Sequence, residues 1–265
     1  MIYYNENDPK AAAWLRVLIP LAVACALSAC GGGTTSSQAP ALAPEPTVAT
    51  PHYGSVGAGP PIVVLALDEQ DTLYNSASTG GVVPALVGAG YTVVSLDLPC
   101  HGADAEPGVA PLDCWAQRLH AGDTELFTRF CAGLSKVLDA EHIERAGILG
   151  ISRGGYMATT CAAYEPRFTA IVLENPVTDL NYLAEFKGLE VNEQLFSLQQ
   201  YVPYLTGDRI MLSIDAIDDR VGASLAEAFA GEIHAKLEVT DAPDHTITPA
   251  VAAAAATWFI EENGL

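Results

Sequence analysis

The chain has 265 residues, a formal net charge of −20 at pH 7 and an isoelectric point near 4.4. This length allows one large domain or two small ones, with ample residues for a buried core. The acidic balance excludes a nucleic-acid-binding protein, because too little positive charge is left to neutralise phosphates. The negative charge itself is typical of a surface that keeps a protein soluble.

The N-terminal segment is typical of an exported protein. Residues 11–29 are almost wholly apolar, follow Lys10 and end in Leu27-Ser28-Ala29-Cys30. An apolar stretch that follows a basic residue and ends in small residues predicts a signal peptide over residues 1–29. The last four residues resemble the lipobox of bacterial lipoproteins, which implies that Cys30 carries a lipid. An uncleaved membrane anchor and an ordinary signal peptide are the alternatives.

The segment after Cys30 predicts a flexible tether. Residues 30–60 are rich in Gly, Ser, Thr, Ala and Pro and have few large apolar side chains, so they cannot bury enough surface to order themselves. By analogy with enterobacterial lipoproteins, Gly31 after the cysteine implies sorting to the outer membrane. No other stretch is long and apolar enough to span a bilayer. The membrane is therefore an expected partner through the lipid alone.

Strand and helix patterns alternate from Pro61 to the end, which predicts one domain over residues 61–265. Continuous apolar strands separated by helices indicate a mostly parallel sheet that is flanked by helices on both faces. The predicted strands are 61–67, 91–98, a run that begins at Ala146, 168–174, 209–215 and 235–240. The predicted helices are 80–88, 122–138, 156–164, 222–233 and 248–262.

One insertion, residues 176–206, is too long for an ordinary loop between a strand and its neighbour. Its aromatic residues predict a small helical cap over the strand ends, where open α/β sheets bind ligands. The alternative is that these aromatic side chains only pack the cap onto the core. The candidate pocket residues are Tyr156, Tyr182, Phe186 and Tyr201.

The stretch Gly150-Ile151-Ser152-Arg153-Gly154 matches the G-x-S-x-G nucleophile elbow, with a predicted strand before it and a predicted helix after it. A serine on a sharp strand-to-helix turn has strained backbone, and side chains two positions away would collide with neighbouring elements. Glycines at both positions remove the collision, so the hydroxyl of Ser152 is exposed. The helix also directs free N–H groups towards a developing negative charge.

A base and an acid follow this serine in the chain order of a Ser-Asp-His triad. Asp215, Asp218 and Asp219 follow the strand predicted at 209–215, and His245 follows the last strand. A histidine on a loop after the last strand has little packing reason to be there. His245 is therefore the expected base.

The domain resembles a compact α/β-hydrolase of the dienelactone-hydrolase and prolyl-oligopeptidase-like branch, from about Pro60 to the C-terminus. The resemblance rests on the elbow, on Asp97-Leu-Pro-Cys-His101-Gly102 and on Asp218-Asp-Arg-Val221. It implies the α/β-hydrolase fold and Asp218 as the acid, with Asp219 and Asp215 as alternatives. It also implies that His101 is a structural loop histidine.

The oxyanion hole is expected to combine two backbone N–H groups, one from Arg153 and one from the loop after Leu67. The register of that loop favours Glu69, and Asp68 and Gln70 are the alternatives. The side chain of Arg153 could hold a substrate carboxylate or form a salt bridge within the scaffold.

Four cysteines lie beyond the tether, and outside the cytoplasm they can pair. Cys100 and Cys114 bracket a stretch predicted as an irregular loop, and they are the preferred pair. Cys161 lies on the helix after the elbow and is expected to be a buried free thiol, which leaves the state of Cys131 open.

These residues predict a serine hydrolase that cleaves carboxylic esters through an acyl-enzyme, without a cofactor or metal ion. Small esters or short peptides are the expected substrates. A serine aminopeptidase or acyl-peptidase is the enzymatic alternative, with Asp68 and Glu69 as candidate anchors for a terminal ammonium. A non-catalytic surface lipoprotein that uses the same fold to bind a ligand is the third hypothesis.

Overall fold

The computed structural model describes residues 49–189, 196–205 and 209–261. The predicted signal peptide (residues 1–29), the lipidated Cys30 and most of the predicted tether lie outside these ranges. The predictions about export and anchoring therefore remain predictions. Within the described ranges, no helix combines the length and the apolar character that a membrane span requires.

A seven-stranded sheet forms the centre of the domain, with strand order β1-β3-β2-β4-β5-β6-β7. Only the edge strand β1 runs antiparallel, against β3, and every other pair is parallel. The strands are β1 (Tyr53–Gly57), β2 (Pro61–Leu65), β3 (Thr92–Leu96), β4 (Ala146–Ile151), β5 (Phe168–Glu174), β6 (Arg209–Asp215) and β7 (Lys236–Thr240). The parallel sheet predicted from the apolar runs is confirmed.

Helices cover both faces of the sheet. Alternate strand residues point to opposite sides, so a continuous apolar strand has two apolar faces to bury. The helices are α1 (Glu69–Tyr74), α2 (Val82–Gly88), α3 (Pro111–His120), α4 (Leu126–Ala140), α5 (Arg153–Tyr164), α6 (Ala223–Glu232) and α7 (Pro249–Glu261). Ile148 packs into one core with the helices α3 to α6, and Leu149 packs into a second core with α1, α2 and α7.

Two predictions about irregular segments are wrong. Strand β1 lies inside the predicted tether, so the folded domain begins before Pro61. Its two glycines hide the strand in the sequence, and its identity depends on pairing with β3. The stretch between Cys100 and Cys114 also ends in a helix, α3, which has Pro111 at its start and a buried apolar face.

The predicted cap is smaller and less regular than expected. The described part of residues 176–206 contains three short 3₁₀ helices: Leu180–Tyr182, Ala184–Phe186 and Leu198–Tyr204. An isolated antiparallel bridge joins Asp179, near the start of this insertion, to Ser197 in its second half. The insertion is therefore tied back on itself.

Two disulfides cross-link the first core. The preferred pair, Cys100 with Cys114, is confirmed. The prediction that Cys161 is a free thiol is wrong, because Cys161 on α5 is bonded to Cys131 on α4. The sequence could not show this pairing, since it depends on the packing of α4 against α5.

Removal of the Cys131–Cys161 bridge is expected to lower the free energy of unfolding by about 3–4 kcal/mol, because the bridge restricts the unfolded chain. Urea unfolding of Cys131→Ala, Cys161→Ala and the double variant measures this loss. Either single variant breaks the same bond, so each should lose nearly as much as the double variant. Losses that simply add would contradict a cross-link between these residues.

Candidate active site

Ser152 lies at the turn between β4 and α5, with φ 55° and ψ −117°. A positive φ at a residue other than glycine costs free energy and persists only where the surroundings enforce it. Here the backbone N–H of Ser152 donates to the carbonyl of Glu174 on the neighbouring strand at 2.9 Å. The strained turn predicted from the elbow motif is present.

The flanking glycines are required by close backbone contacts. A Cβ on Gly154 would lie 1.9 Å from the carbonyl oxygen of Leu65 at the end of β2. A Cβ on Gly150 would lie 2.3 Å from the carbonyl oxygen of Gly154. Helix α5 therefore begins against the sheet, and no residue with a side chain fits either position without displacing it.

His245 connects Ser152 to an acid. Its Nε2 lies 2.7 Å from the hydroxyl oxygen of Ser152, and its Nδ1 lies 2.7 Å from Oδ2 of Asp218. Because a carboxylate only accepts, Nδ1–H donates to Asp218 and Nε2 is left to accept the proton of the serine. The three side chains follow β4, β6 and β7, whose carboxyl ends meet at one edge of the sheet.

Asp218 is held in place by its second oxygen. Its Oδ1 accepts the backbone N–H groups of Arg220 at 3.0 Å and Val221 at 3.2 Å, and the residue is buried. Of the two alternatives, Asp219 is exposed. Asp215 has a different contact: its Oδ2 accepts the backbone N–H of Thr246 at 3.1 Å, so it fixes the loop that carries His245.

Comparison with known proteins agrees with this fold. A model of the prolyl oligopeptidase family matches residues 115–208, and no curated protein matches the chain. TT1662 from Thermus thermophilus aligns with a TM-score of 0.63 and 12% identity, over 79% of this chain and 92% of that one. The chain is an α/β-hydrolase by fold.

Two further α/β-hydrolase neighbours differ in what their names say they cleave. Acetyl xylan esterase 1 from a Thermoanaerobacterium species has a TM-score of 0.60 and 17% identity, over 81% of this chain and 80% of that one. The acylaminoacyl peptidase of Pyrococcus horikoshii has a TM-score of 0.55 and 16% identity, over 78% of this chain. This chain spans only 37% of that larger peptidase.

The prediction that Glu69 donates to the oxyanion is wrong. Its N–H donates to the side chain of Asp97 at 2.8 Å, and the N–H of Leu67 donates to the hydroxyl of Thr72 at 3.2 Å. Asp68 lies between them, and its own carboxylate caps α1 by accepting the N–H of Asp71 at 2.8 Å. Among the expected donors in this loop, Glu69 is therefore excluded, and Asp68 and Gln70 remain.

Three of the four predicted pocket residues are packing residues. Tyr156 is fully buried beside Phe127, with ring centroids 5.1 Å apart. Phe186 and Tyr201 are also buried: Phe186 meets Phe196 edge to face within the insertion, and Tyr201 meets Tyr164 on α5 in the same way. The prediction that they line a pocket is wrong, because an apolar ring gains more from burial than from exposure at an open site. Tyr182 alone is exposed, at 40%.

His101 belongs to the structure around the elbow, as the resemblance implied. Its Nδ1 lies 2.9 Å from the carbonyl oxygen of Pro99, and its Nε2 lies 3.2 Å from Nη1 of Arg153. The guanidinium can only donate, so Nε2 accepts and the imidazole is neutral. Burial lowers the pKa of His101, which agrees with this neutral form. Among the described residues Arg153 forms no salt bridge, so the alternative that it pairs with a carboxylate of the scaffold is wrong.

Sequence analysis missed Glu174, the last residue of β5. The side chain is fully buried in the domain, and neither carboxyl oxygen has a hydrogen-bond partner among the described residues. Burial raises its pKa to about 8. The only signal in the sequence was an acidic residue at the end of an apolar strand, next to the strand that carries the elbow. Glu174 is therefore a neutral acid at pH 7, and its backbone carbonyl accepts the N–H of Ser152.

Proposed function

We propose that this protein is a serine hydrolase that cleaves carboxylic esters through an acyl-enzyme. The observation that carries the proposal is the unbroken hydrogen-bond chain from Ser152 through His245 to Asp218, with 2.7 Å at each step. A binding protein would have no chemical need for all three groups in this geometry. The non-catalytic hypothesis therefore ranks below catalysis.

In the first half of the proposed reaction, His245 Nε2 takes the proton of Ser152 while Oγ bonds to the ester carbonyl carbon. The carbonyl oxygen becomes an oxyanion, held by the backbone N–H of Arg153 and by that of Asp68 or Gln70 in the segment after β2. The intermediate collapses as the bond to the alcohol oxygen breaks. His245 gives its proton to that alcohol, and the acyl group remains on Ser152.

In the second half, water attacks the acyl-enzyme and His245 takes its proton. Collapse of the second tetrahedral intermediate breaks the bond to Oγ, and the proton returns from His245 to Ser152. The carboxylic acid is released and the enzyme regains its starting state. Asp218 remains ionised throughout, where it orients His245 and stabilises its protonated form.

Peptide cleavage is the second candidate, because the partial match to the prolyl oligopeptidase family favours it. An aminopeptidase would need free carboxylates to hold a terminal ammonium. Of the two candidate anchors, Asp68 caps α1, and Glu69 is buried with its carboxylate 2.8 Å from the amide of Gln70. Both acids are thus engaged within the domain, which counts against an aminopeptidase.

Ester preference is tested with 4-nitrophenyl esters of increasing chain length against aminoacyl 4-nitroanilides. We expect kcat/KM for the best ester to exceed that for every anilide by at least about 100-fold, a difference of about 2.7 kcal/mol in activation free energy. Cleavage of a short ester serves as the control that the triad of the preparation is active. Anilide cleavage that equals or exceeds ester cleavage would support the peptidase instead.

We also propose that the protein is exported and attached to the outer membrane by a lipid on Cys30. The lipobox-like tetrapeptide supports this, and so do two disulfides, which persist in oxidising compartments. In metabolic labelling, the wild type should incorporate labelled palmitate and Cys30→Ala should not. Equal labelling of both proteins would exclude this attachment.

A further inference from the structure

Arg153 is the residue directly after Ser152, and its positive charge has no carboxylate partner in the part of the chain that the structure describes. Its only recorded side-chain hydrogen bond there is the 3.2 Å contact to Nε2 of His101, a neutral acceptor. Arg153 is also largely shielded from solvent. A shielded charge without a counter-ion is costly, so a second group that supplies negative charge would be bound favourably.

A second arginine lies close to the first. Arg220 pairs with Glu185 through contacts of 2.6 and 3.4 Å, and its backbone N–H donates to the catalytic Asp218. Burial lowers the pKa of Arg153, and the charge of Arg220 lowers it further while Glu185 opposes this. Glu185 is paired with Arg220, and Arg153 is left without a carboxylate in contact among the described residues. The side chains of Arg153, Arg220 and Glu185 together carry one net positive charge.

We propose that Arg153, assisted by Arg220, binds a carboxylate at the far end of the substrate's acyl group, so the preferred substrates are half-esters of dicarboxylic acids. This inference rests on the proposed ester hydrolysis. The acyl side is chosen because that group becomes bonded to Ser152, the neighbour of Arg153, and remains there through both half-reactions. Guanidinium groups suit this role because they bind carboxylates through two parallel hydrogen bonds.

The overall charge of the protein opposes this preference for an anionic ester. With a net charge of −20, the chain as a whole repels anions, so long-range electrostatics would favour neutral or cationic esters. A preference for an anionic ester must then come from a local site. Glu185 limits that site, because it neutralises one of the two arginines.

The test compares mono-4-nitrophenyl adipate with 4-nitrophenyl hexanoate, which have equal chain length and differ in the terminal carboxylate. We expect wild-type kcat/KM to be about 10- to 100-fold higher for the adipate, the range of one charge-assisted hydrogen bond. Arg153→Gln should lower the ratio of the two kcat/KM values to about one. Glu185→Gln should raise it, because Arg220 then loses its internal partner. The ratio is the readout, since substitution beside Ser152 can alter the absolute rates of both esters.

Arg145→Gln is the matched control, because Arg145 precedes β4 at the opposite end of the sheet and contacts Thr169. Its ratio should equal that of the wild type. A wild-type ratio of one or less, or a ratio unchanged in Arg153→Gln, would overturn the inference while ester hydrolysis stands. Failure to cleave either ester would instead overturn the proposed function, and the subsite with it.

Discussion

Ser152→Ala is expected to lower kcat for 4-nitrophenyl esters by about 10⁶-fold, because among the described residues only the hydroxyl of Ser152 contacts Nε2 of His245. His245→Ala should cost about as much, since the serine without its base is a poor nucleophile. The double variant should be no slower than either single one, because the two groups act as a unit. Steady-state and single-turnover rates measure these losses.

The acid offers a matched control within the same loop. Asp218→Asn should keep the fold and lower kcat by about 10⁴-fold, since the amide no longer holds the required tautomer of His245. Asp219→Asn removes a carboxylate one position away that is exposed, and it should retain wild-type activity. The reverse result, with Asp219 essential and Asp218 dispensable, would contradict the hydrogen-bond chain described here.

Glu174→Gln is expected to stabilise the protein at neutral and alkaline pH. Burial raises the pKa of this carboxyl to about 8 in the folded state, from an ordinary value of 4.5. Between these pH values the unfolded chain releases a proton that the folded chain retains, so stability falls as pH rises. At about 1.4 kcal/mol per pH unit, the loss reaches about 3 kcal/mol by pH 7. Glutamine has the shape of the neutral acid and does not titrate.

Urea unfolding at pH 4.5, 7 and 8 tests this expectation. Subtraction of the wild-type free energies from those of Glu174→Gln cancels the effects of other titrating groups. One of these is Glu165, whose burial raises its pKa but whose hydrogen bonds to Arg167 and Ser135 outweigh this and lower it, which gives the opposite slope. The difference should be small at pH 4.5 and grow to several kcal/mol at pH 8. Glu144→Gln, at an exposed position, should show no such trend. A difference that does not depend on pH would contradict a neutral buried Glu174.

The features that sequence analysis located correctly have local causes. Gly150 and Gly154 are required by contacts within one strand-turn-helix unit, so their spacing reveals Ser152 without knowledge of the rest of the fold. The positions of Asp218 and His245 follow from the parallel order of the strands, because each lies just beyond a strand's carboxyl end. A pattern of apolar runs was enough to predict that the sheet is mostly parallel.

The features that were missed depend on contacts between distant parts of the chain. Whether the N–H of Glu69 is free depends on Asp97, 28 residues away. Cys161 and Cys131 come within bonding distance only when α4 packs against α5. Tyr156 and the aromatic residues of the insertion are equally compatible with a pocket and a core, and only the packing of neighbouring elements separates the two.

The strand β1 was missed for a similar reason. Tyr53–Gly57 has two glycines and follows a segment of low complexity, so its composition is that of a loop. It becomes a strand because β3 leaves an open edge for it to pair with, in antiparallel register from Tyr53 opposite Leu96 to Gly57 opposite Thr92. Such edge pairing is a property of the sheet and not of the segment.

The central claim is that Ser152 is an activated nucleophile, and reaction with a fluorophosphonate tests it most directly. The account predicts stoichiometric labelling of the folded wild type, with the adduct located by peptide mass spectrometry on Ser152. Labelling should disappear in Ser152→Ala and become very slow in His245→Ala. A folded wild-type protein that is not labelled, or that is labelled at another residue, would contradict the account.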